Sequence, residues 1–341
     1  MRAIVYSQTG DPSVLDLVER EPGEPGAGEV RVRIVASGVN PTDWKSRSGA
    51  SGQPVPFPEV VPNLDGSGVV DAIGPDVDGV AVGDRVWVIM AAHGRPTGTA
   101  QELTVVPADR VVRLPDTASH DVGASLGVPA ITAHRALTVA EGGPTRLAPG
   151  ALDGRTVLVA GGAGAVGHAA IQLARWAGAT VITTISSAEK AALATAAGAH
   201  HTVDYTAGDP AAAIRALAPG GVNIVVEVSP ATNAQLNQAV LANHGTVSVY
   251  ANNGGDTLSL EIVPTFVLNI RYQFLLLYTV DPAALRAATE DITAAVADGA
   301  LPVGEDAGLP LVRFPLERAA DAHAAVESGV VGKVLIDVSA E

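Results

Sequence analysis

Three glycines, Gly162, Gly164 and Gly167, fall at the spacing G-x-G-x-x-G inside the run TVLVAGGAGAVG at 156–167. Glycines so placed suit the binding of a dinucleotide pyrophosphate. One makes a tight turn, one lets the backbone approach the phosphates, and one lets the next helix pack closely on the strand before it. The phosphates then meet the free N–H groups and positive dipole end of a helix opening at Ala165 and Val166. The chain holds 37 glycines, so spacing alone carries little weight. The context carries more. An apolar run at 156–160 reads as a buried strand, and Val166, Ala169, Ala170, Leu173, Ala174 and Ala177 share one face of a helix after the turn.

The end of the next apolar run, 180–184, selects the nucleotide. Proteins that bind NAD place an acid there, about 20 residues past the fingerprint, to hold the ribose hydroxyl. Here the position is Ile185, followed by Ser186 and Ser187, with Lys190 one helical turn later. No carboxylate repels a phosphate, two hydroxyls can donate to one, and a lysine supplies charge. The pattern predicts NADPH over NADH as the cofactor. A second set of chemistry-bearing residues lies in GVNPTDWK at 38–45. The Asn40 amide can donate to a carbonyl oxygen or hold its own turn. Asp43 can orient Lys45 or cap a helix.

Composition narrows the remaining choices. At 341 residues the chain is comfortable as two domains. It has no cysteine, which excludes disulfides and thiolate-bound metal and is compatible with a reducing cytoplasm, the expected location. The opening MRAIVYSQTG has neither the basic nor the apolar region of a secretory leader. No apolar run reaches membrane-spanning length. A net charge of −15 argues against nucleic acid or an anionic membrane as partner.

Two patterns follow one another along the chain. The first hundred or so residues carry short apolar runs at 3–6, 15–19, 30–35, 68–73, 82–89 and 100–106, with glycine and proline between them, which reads as a small barrel-like β domain. Helical pattern begins near 122 and is interrupted at Pro129. Strand-like and helix-like runs then alternate, with strands at 156–160, 180–184, 201–204, 223–228 and 245–250. This predicts an α/β fold, a doubly wound parallel sheet. An apolar strand at 272–280, a helix at 282–298 and a last strand at 334–338 are expected to return to the first domain. The expected domains are 1–122 with 266–341, and 123–265.

Five segments in order, GVNPTD at 38–43, VGDRV at 82–86, AITAHRAL at 130–137, the glycine turn, and GKV at 332–334, resemble the medium-chain dehydrogenase/reductase superfamily in its zinc-independent quinone oxidoreductase branch. The resemblance covers nearly the whole chain. It implies a GroES-like β-rich catalytic domain beside a Rossmann NADPH-binding domain. Alcohol-dehydrogenase relatives place a zinc-binding Cys in the turn at 39–43 and a His-Glu pair where this chain has Leu64 and Asp65. Neither is present, and the four-Cys structural loop is also missing, so no metal is expected.

The resemblance further places Thr132 near the nicotinamide, with Val228, Ser229, Tyr250, Ala251 and Asn252 along the cofactor. It brings Tyr205 to the phosphate or adenine edge and Lys333 to the cofactor from the C-terminal segment. Many relatives carry Tyr where this chain has Lys45, while similar enone reductases carry Lys. Lys45 is one of only three lysines. It is expected to polarise an acceptor carbonyl and supply a proton, with Asn40 as a second stabiliser. The implied reaction is metal-free hydride transfer from NADPH to a quinone or α,β-unsaturated carbonyl. Two alternatives stay open: an enoyl-thioester reductase of a biosynthetic pathway, and a non-catalytic NADPH-binding or sensing protein. The loops at 46–58, 90–98 and 253–266 are expected to line a pocket for a small hydrophobic acceptor. In similar proteins the edge strand here at 272–280 pairs across a twofold, which implies a homodimer.

Overall fold

The computed structural model describes residues 1–340 except Ser51 and Gln53. Those two, part of the expected 46–58 pocket loop, and Glu341 lie outside the described residues. The chain forms two compact units, residues 1–128 with 311–341, and residues 129–310.

The first unit is built on one long strand, Glu29–Val39. Val30, Val32, Ile34 and Ala36 alternate inward along it and are fully buried. It pairs antiparallel with Asp65–Ile73, Leu103–Pro107 and Lys333–Asp337. Arg85–Val88 and Val111–Arg113 extend the sheet beyond Asp65–Ile73, and Leu311–Pro315 lies parallel to Lys333–Asp337 at the other edge. Leu316, Ala319 and Ala322 join the Val/Ile/Ala core formed by these strands. A short helix, Pro41–Ser48, leaves the end of the long strand. Asn40 caps it in an extended conformation, proline opens its first turn, and Gly49 closes it at φ +75°.

The helix His120–Leu137 begins in this unit and changes course at Gly127, whose φ and ψ of −21° and −106° are not helical. The interruption expected at Pro129 thus falls two residues earlier. Proline disfavours helical conformation in the residue before it, and the chain breaks at the nearby residue with no Cβ.

The second unit is a six-stranded sheet, parallel throughout. Its strands run in the order His201–Asp204, Thr180–Ile185, Thr156–Ala160, Val222–Glu227, Leu241–Val249 and Arg271–Phe274. This is the doubly wound dinucleotide-binding order. The central strands carry apolar residues on both faces, as a sheet covered on both sides requires. The helices Ala165–Trp176, Ala188–Ala196, Pro210–Leu217 and Pro230–Val240 connect them.

Two expectations are corrected here. Residues 266–310 belong to this second unit rather than to the first. Arg271–Phe274 is the sixth strand of the parallel sheet, and the helix Pro282–Ala297 buries Ala288, Ile292, Ala295 and Val296. Asp291 on that helix accepts hydrogen bonds from His134 Nε2 at 2.8 Å, Arg146 Nε at 2.8 Å and the Leu147 N–H at 2.7 Å. The edge strand is also shorter than 272–280. Its partner strand ends at Val249, so after one more bond, Leu275 N–H to Val249 O at 2.7 Å, no carbonyls remain to pair with. The chain then makes a single turn at Leu277–Thr279. No helix among the described residues is long and apolar enough to cross a membrane.

Candidate functional site

In the second unit the glycine turn divides its work among four residues. Gly161, which the spacing G-x-G-x-x-G leaves out, makes the turn itself at φ +71°. A Cβ on Gly162 would stand 2.2 Å from Thr183 Oγ1, so that glycine is required by the neighbouring strand. A Cβ on Gly167 would stand 2.4 Å from the Gly161 carbonyl oxygen, which enforces close helix packing. Gly164 is different. It caps the helix Ala165–Trp176, is exposed, and would place a Cβ no nearer than 3.6 Å to its closest neighbour. Ala165 and Val166 follow it, half-buried. The first-turn N–H groups have no partner within the helix and are free for an anion. The cradle fits a pyrophosphate.

At the end of the second strand, Ile185 is buried and Ser186 and Ser187 stand at the surface. Ser187 caps the next helix, its Oγ accepting the Lys190 N–H at 3.2 Å. Lys190 Nζ turns back and donates to Ser186 Oγ at 3.0 Å. Tyr205 joins this group because its N–H donates to the Ile185 carbonyl at 3.1 Å, and its ring is about half exposed. Two hydroxyls and an ammonium therefore share one patch, with the Tyr205 backbone beside them. The patch fits a ribose phosphate.

The ends of the fourth and fifth strands bring together Val228, Ser229, Tyr250 and Ala251. Ser229 Oγ donates to the Asn253 carbonyl at 2.7 Å, and the Asn253 N–H donates to the Val228 carbonyl at 3.1 Å. Tyr250, Ala251 and Asn252 line a pocket with Pro230, Thr257 and Phe274. Beneath it lies Glu227, fully buried, whose carboxylate accepts from the Ser229 N–H at 2.6 Å, Asn233 Nδ2 at 2.9 Å and Asn237 Nδ2 at 2.6 Å. Sequence reasoning missed Glu227. Its signal is an acid closing a strand, Val222–Glu227, that is apolar but for Asn223. Burial, and then the Glu227 charge, push the Tyr250 phenol far up, so it stays protonated. Thr132 is half-buried on the helical segment that opens this unit.

In the first unit, Asn40 and Lys333 come together and Lys45 stands apart. Asn40 Nδ2 donates to Asp65 Oδ2 at 2.6 Å, and Asn40 Oδ1 accepts from Lys333 Nζ at 2.7 Å. Asp43 Oδ2 accepts the Asn40 N–H at 2.7 Å. Lys333, expected to approach the cofactor from the C-terminal segment, turns its ammonium toward Asn40 and is 1% exposed. Asp65, which stands where relatives carry a metal ligand, is fully buried. Burial, and then the Asp65 charge, push the Asp43 carboxyl up to about 7. Lys45 Nζ lies 5.9 Å from the Trp44 ring centre, and has no hydrogen-bond or ion-pair partner among the described residues. Among the described residues no group of three or more His, Asp or Glu converges to hold a metal ion.

Comparison with known proteins agrees with this geometry. Residues 26–116 match the alcohol dehydrogenase GroES-like domain family, and residues 165–294 match the zinc-binding dehydrogenase family. The chain is 31% identical to a 2-haloacrylate reductase of Burkholderia over 77% of this chain and 76% of that protein. It is 30% identical to a quinone oxidoreductase of Rattus norvegicus over 98% of this chain and 97% of that protein. A solved mycobacterial structure, complexed with NADPH, superposes with a TM-score of 0.80 at 30% identity, covering 98% of this chain and 99% of that one. The chain also matches a phenolphthiocerol/phthiocerol polyketide synthase subunit of Mycobacterium tuberculosis at 33% identity, spanning 99% of itself but only 15% of that much longer protein. The chain belongs to the quinone oxidoreductase branch of the medium-chain dehydrogenase/reductase superfamily.

Proposed function

We propose that this protein is an NADPH-dependent reductase that passes hydride to a quinone or an α,β-unsaturated carbonyl. The observation that carries the reading is the Ser186–Lys190–Tyr205 patch beside the glycine turn. It offers a phosphate the Ser186 and Ser187 hydroxyls and a positive charge, and no carboxylate stands at Ile185 to select a bare ribose. NADPH binding by the mycobacterial structure neighbour supports it. The named substrate of the Burkholderia relative, an acrylate, is an electron-poor alkene and supports the acceptor class.

NADPH, when bound, supplies the hydride; an enone takes it at the β-carbon, the alkene pair moves toward the carbonyl oxygen, and one proton completes the saturated carbonyl. The residues of the chain do the rest. The first-turn N–H groups at 165–167 hold the pyrophosphate, and Val228, Ser229, Tyr250 and Ala251 border the nicotinamide half, with Thr132. Lys45 is the group that would stabilise the developing oxyanion and give up the proton. No metal is used in this reading, because Asn40 and Leu64 stand at two of the ligand positions and Asp65 is committed to protein donors. The protein works as a homodimer joined at the exposed edge strand Arg271–Phe274.

The test is NADPH oxidation measured across quinones and enones of graded size. Turnover with at least one of them is expected. Tight NADPH binding with no oxidation by any acceptor would replace the reading with a nucleotide-binding role. The polyketide synthase match favours a second reading, reduction of an enoyl thioester. A short enoyl thioester outpacing every free quinone and enone in kcat/KM would establish it.

A further inference from the structure

Two buried carboxylates and one buried ammonium in the first unit have no place in the mechanism above. Asp43, Asp65 and Lys333 are each at most 5% exposed and surround Asn40, itself 2% exposed. Charges so enclosed are costly unless every one is paired and hydrogen-bonded. Here each is. The Asp65 carboxylate receives the Val128 N–H at 3.0 and 2.9 Å on its two oxygens, and Asn40 Nδ2 on one of them. Lys333 Nζ stands 3.9 Å from Asp65 Oδ2 and reaches the Val39 carbonyl at 3.4 Å. Asp43 accepts the backbone N–H groups of Asn40 and Leu64, tying the turn at 40 to the turn at 64.

The surrounding backbone is shaped for these side chains. A Cβ on Gly127 would lie 2.0 Å from Asp65 Oδ1. A Cβ on Gly38 would lie 3.1 Å from Lys333 Nζ and 2.2 Å from the Ala124 carbonyl.

The chemistry of the partners fixes the Asn40 amide. An ammonium only donates, so the amide oxygen must face Lys333. An ionised carboxylate only accepts, so the amide nitrogen must face Asp65. Exchange of the two ends would put N–H against ammonium and oxygen against carboxylate. One N–H of Asn40 is used by Asp65, and the other is held in a single direction. The ammonium on the oxygen polarises the amide and makes that remaining N–H a stronger donor.

We propose, resting on the reductase reading, that Lys333 and Asp65 are positioning residues that lock Asn40 in one orientation as an oriented donor to the acceptor carbonyl. Neither touches the substrate; both act through Asn40. Burial pushes the Asp65 carboxyl up and the Lys333 ammonium down, and the charge of each on the other opposes the shift. Tyr6 is the other titratable group facing Asp43, and Arg47, which also acts on Tyr6, is paired with Glu327 at 2.5 Å.

The experiment compares wild type, K333M and the charge-balanced double variant K333M/D65N in the full chain. Three quantities are read: kcat with the best acceptor as a function of pH, NADPH affinity by fluorescence, and solvent exchange of the Asn40 side-chain amide by nitrogen-15 NMR. In K333M, kcat falls about 10- to 100-fold, the loss of one charge-assisted hydrogen bond. NADPH affinity stays within about twofold, since no phosphate contact is touched. The kcat of K333M stays low as pH falls, because protonating a carboxylate does not return an ammonium to the Asn40 oxygen. The double variant folds but keeps the low kcat, and in both variants the Asn40 amide exchanges faster than in wild type. Restored turnover in the double variant would reduce Lys333 to charge balance and overturn the proposal. So would an Asn40 amide equally protected in all three proteins. The NMR reading stands even if wild type oxidises NADPH with no acceptor, which would instead remove the reductase reading.

Discussion

Lys190 Nζ donates to Ser186 Oγ at 3.0 Å across one helical turn, so the ammonium at the end of the second strand is already folded onto the hydroxyl it would share with a ligand. A side chain held in this way loses little further freedom when an anion arrives. Hydrogen bonds to charged groups contribute about 1.5–3 kcal/mol. Lys190→Ala is therefore expected to reduce the preference for NADPH over NADH by about 10- to 100-fold, mostly through KM for NADPH. Steady-state kinetics with both nucleotides decides it. Equal kcat/KM for NADPH and NADH in the wild type would remove the phosphate site altogether.

The glycine turn, the acid missing at Ile185 and the alternation of strands and helices were legible because each is local. A turn of this kind needs particular residues at particular positions, and a strand covered on both faces needs a continuous apolar run. The end of the edge strand was not legible. Leu275 to Leu277 are as apolar as a strand could be, but the partner strand stops at Val249 and pairing stops with it. Residues 266–310 were misassigned for a related reason, since a helix such as Pro282–Ala297 does not announce which sheet it covers. The Asp43–Asp65–Lys333 cluster was invisible because it joins residues up to 290 positions apart through contacts that no spacing encodes. The clue available was that Lys333 is one of three lysines in the whole chain and Asp65 lies in an otherwise uncharged stretch.

Gly164 and Gly167 separate binding from folding. A Cβ at Gly167 would stand 2.4 Å from the Gly161 carbonyl, a backbone atom that cannot step aside. Gly167→Ala is expected to destabilise the second unit by about 1–3 kcal/mol and to weaken NADPH as a consequence. At Gly164 the nearest atom is 3.6 Å away, so Gly164→Ala should leave stability within about 0.5 kcal/mol. Its methyl group instead points into the space a pyrophosphate needs, and NADPH affinity should fall by about tenfold or more. Denaturant melts and fluorescence titrations of both variants check the contrast. Equal effects on both quantities in the two variants would contradict it.

Acid should destabilise the protein in two stages. Burial holds the imidazoles of His168 and His323 at about 4 and about 3, below the usual 6.5. A depressed value means the unfolded chain binds the proton first. Stability from these two groups is therefore complete above pH 6.5 and falls steadily as pH drops toward 4 and 3. Burial pushes the Asp291 carboxyl up, but donors from His134, Arg146 and the Leu147 N–H outweigh it and hold it at about 2. Its contribution is present above 3.8 and lost between there and about 2. Melting temperature measured against pH should decline first below 6.5 and more steeply below 4. Asp291→Ala should cost about 2–4 kcal/mol at neutral pH and remove the second stage only.

Lys45 is the remaining candidate for the proton donor. Nothing among the described residues neutralises its ammonium, which rests 5.9 Å from the Trp44 ring. Lys45→Ala is expected to lower kcat by about 10²-fold, the low end for removal of a general acid, with NADPH affinity unchanged. Lys45→Arg keeps the charge but cannot release a proton near neutrality, so it should restore binding of the acceptor and little of the turnover. Unchanged turnover in Lys45→Ala would take this residue out of the mechanism.

The edge strand Arg271–Phe274 leaves Phe274 61% exposed and Leu276 57% exposed, with Ile262, Val263, Phe266 and Val267 of the neighbouring helical turn also open. An unpaired strand edge flanked by that much apolar surface is an aggregation hazard unless something covers it. A second copy of the same edge, related by a twofold, pairs the free backbone groups and buries the flanking side chains together. Light scattering at micromolar concentration should therefore give the mass of a dimer. Phe274→Asp places two like charges near the twofold and buries them at a cost the contact cannot meet, so this variant should run as a monomer with the second unit still folded. Because the pocket shares Phe274 with the strand edge, its acceptor KM should rise as well. A wild-type monomer would overturn the assembly, and a Phe274→Asp variant that remains dimeric would move the interface to another face.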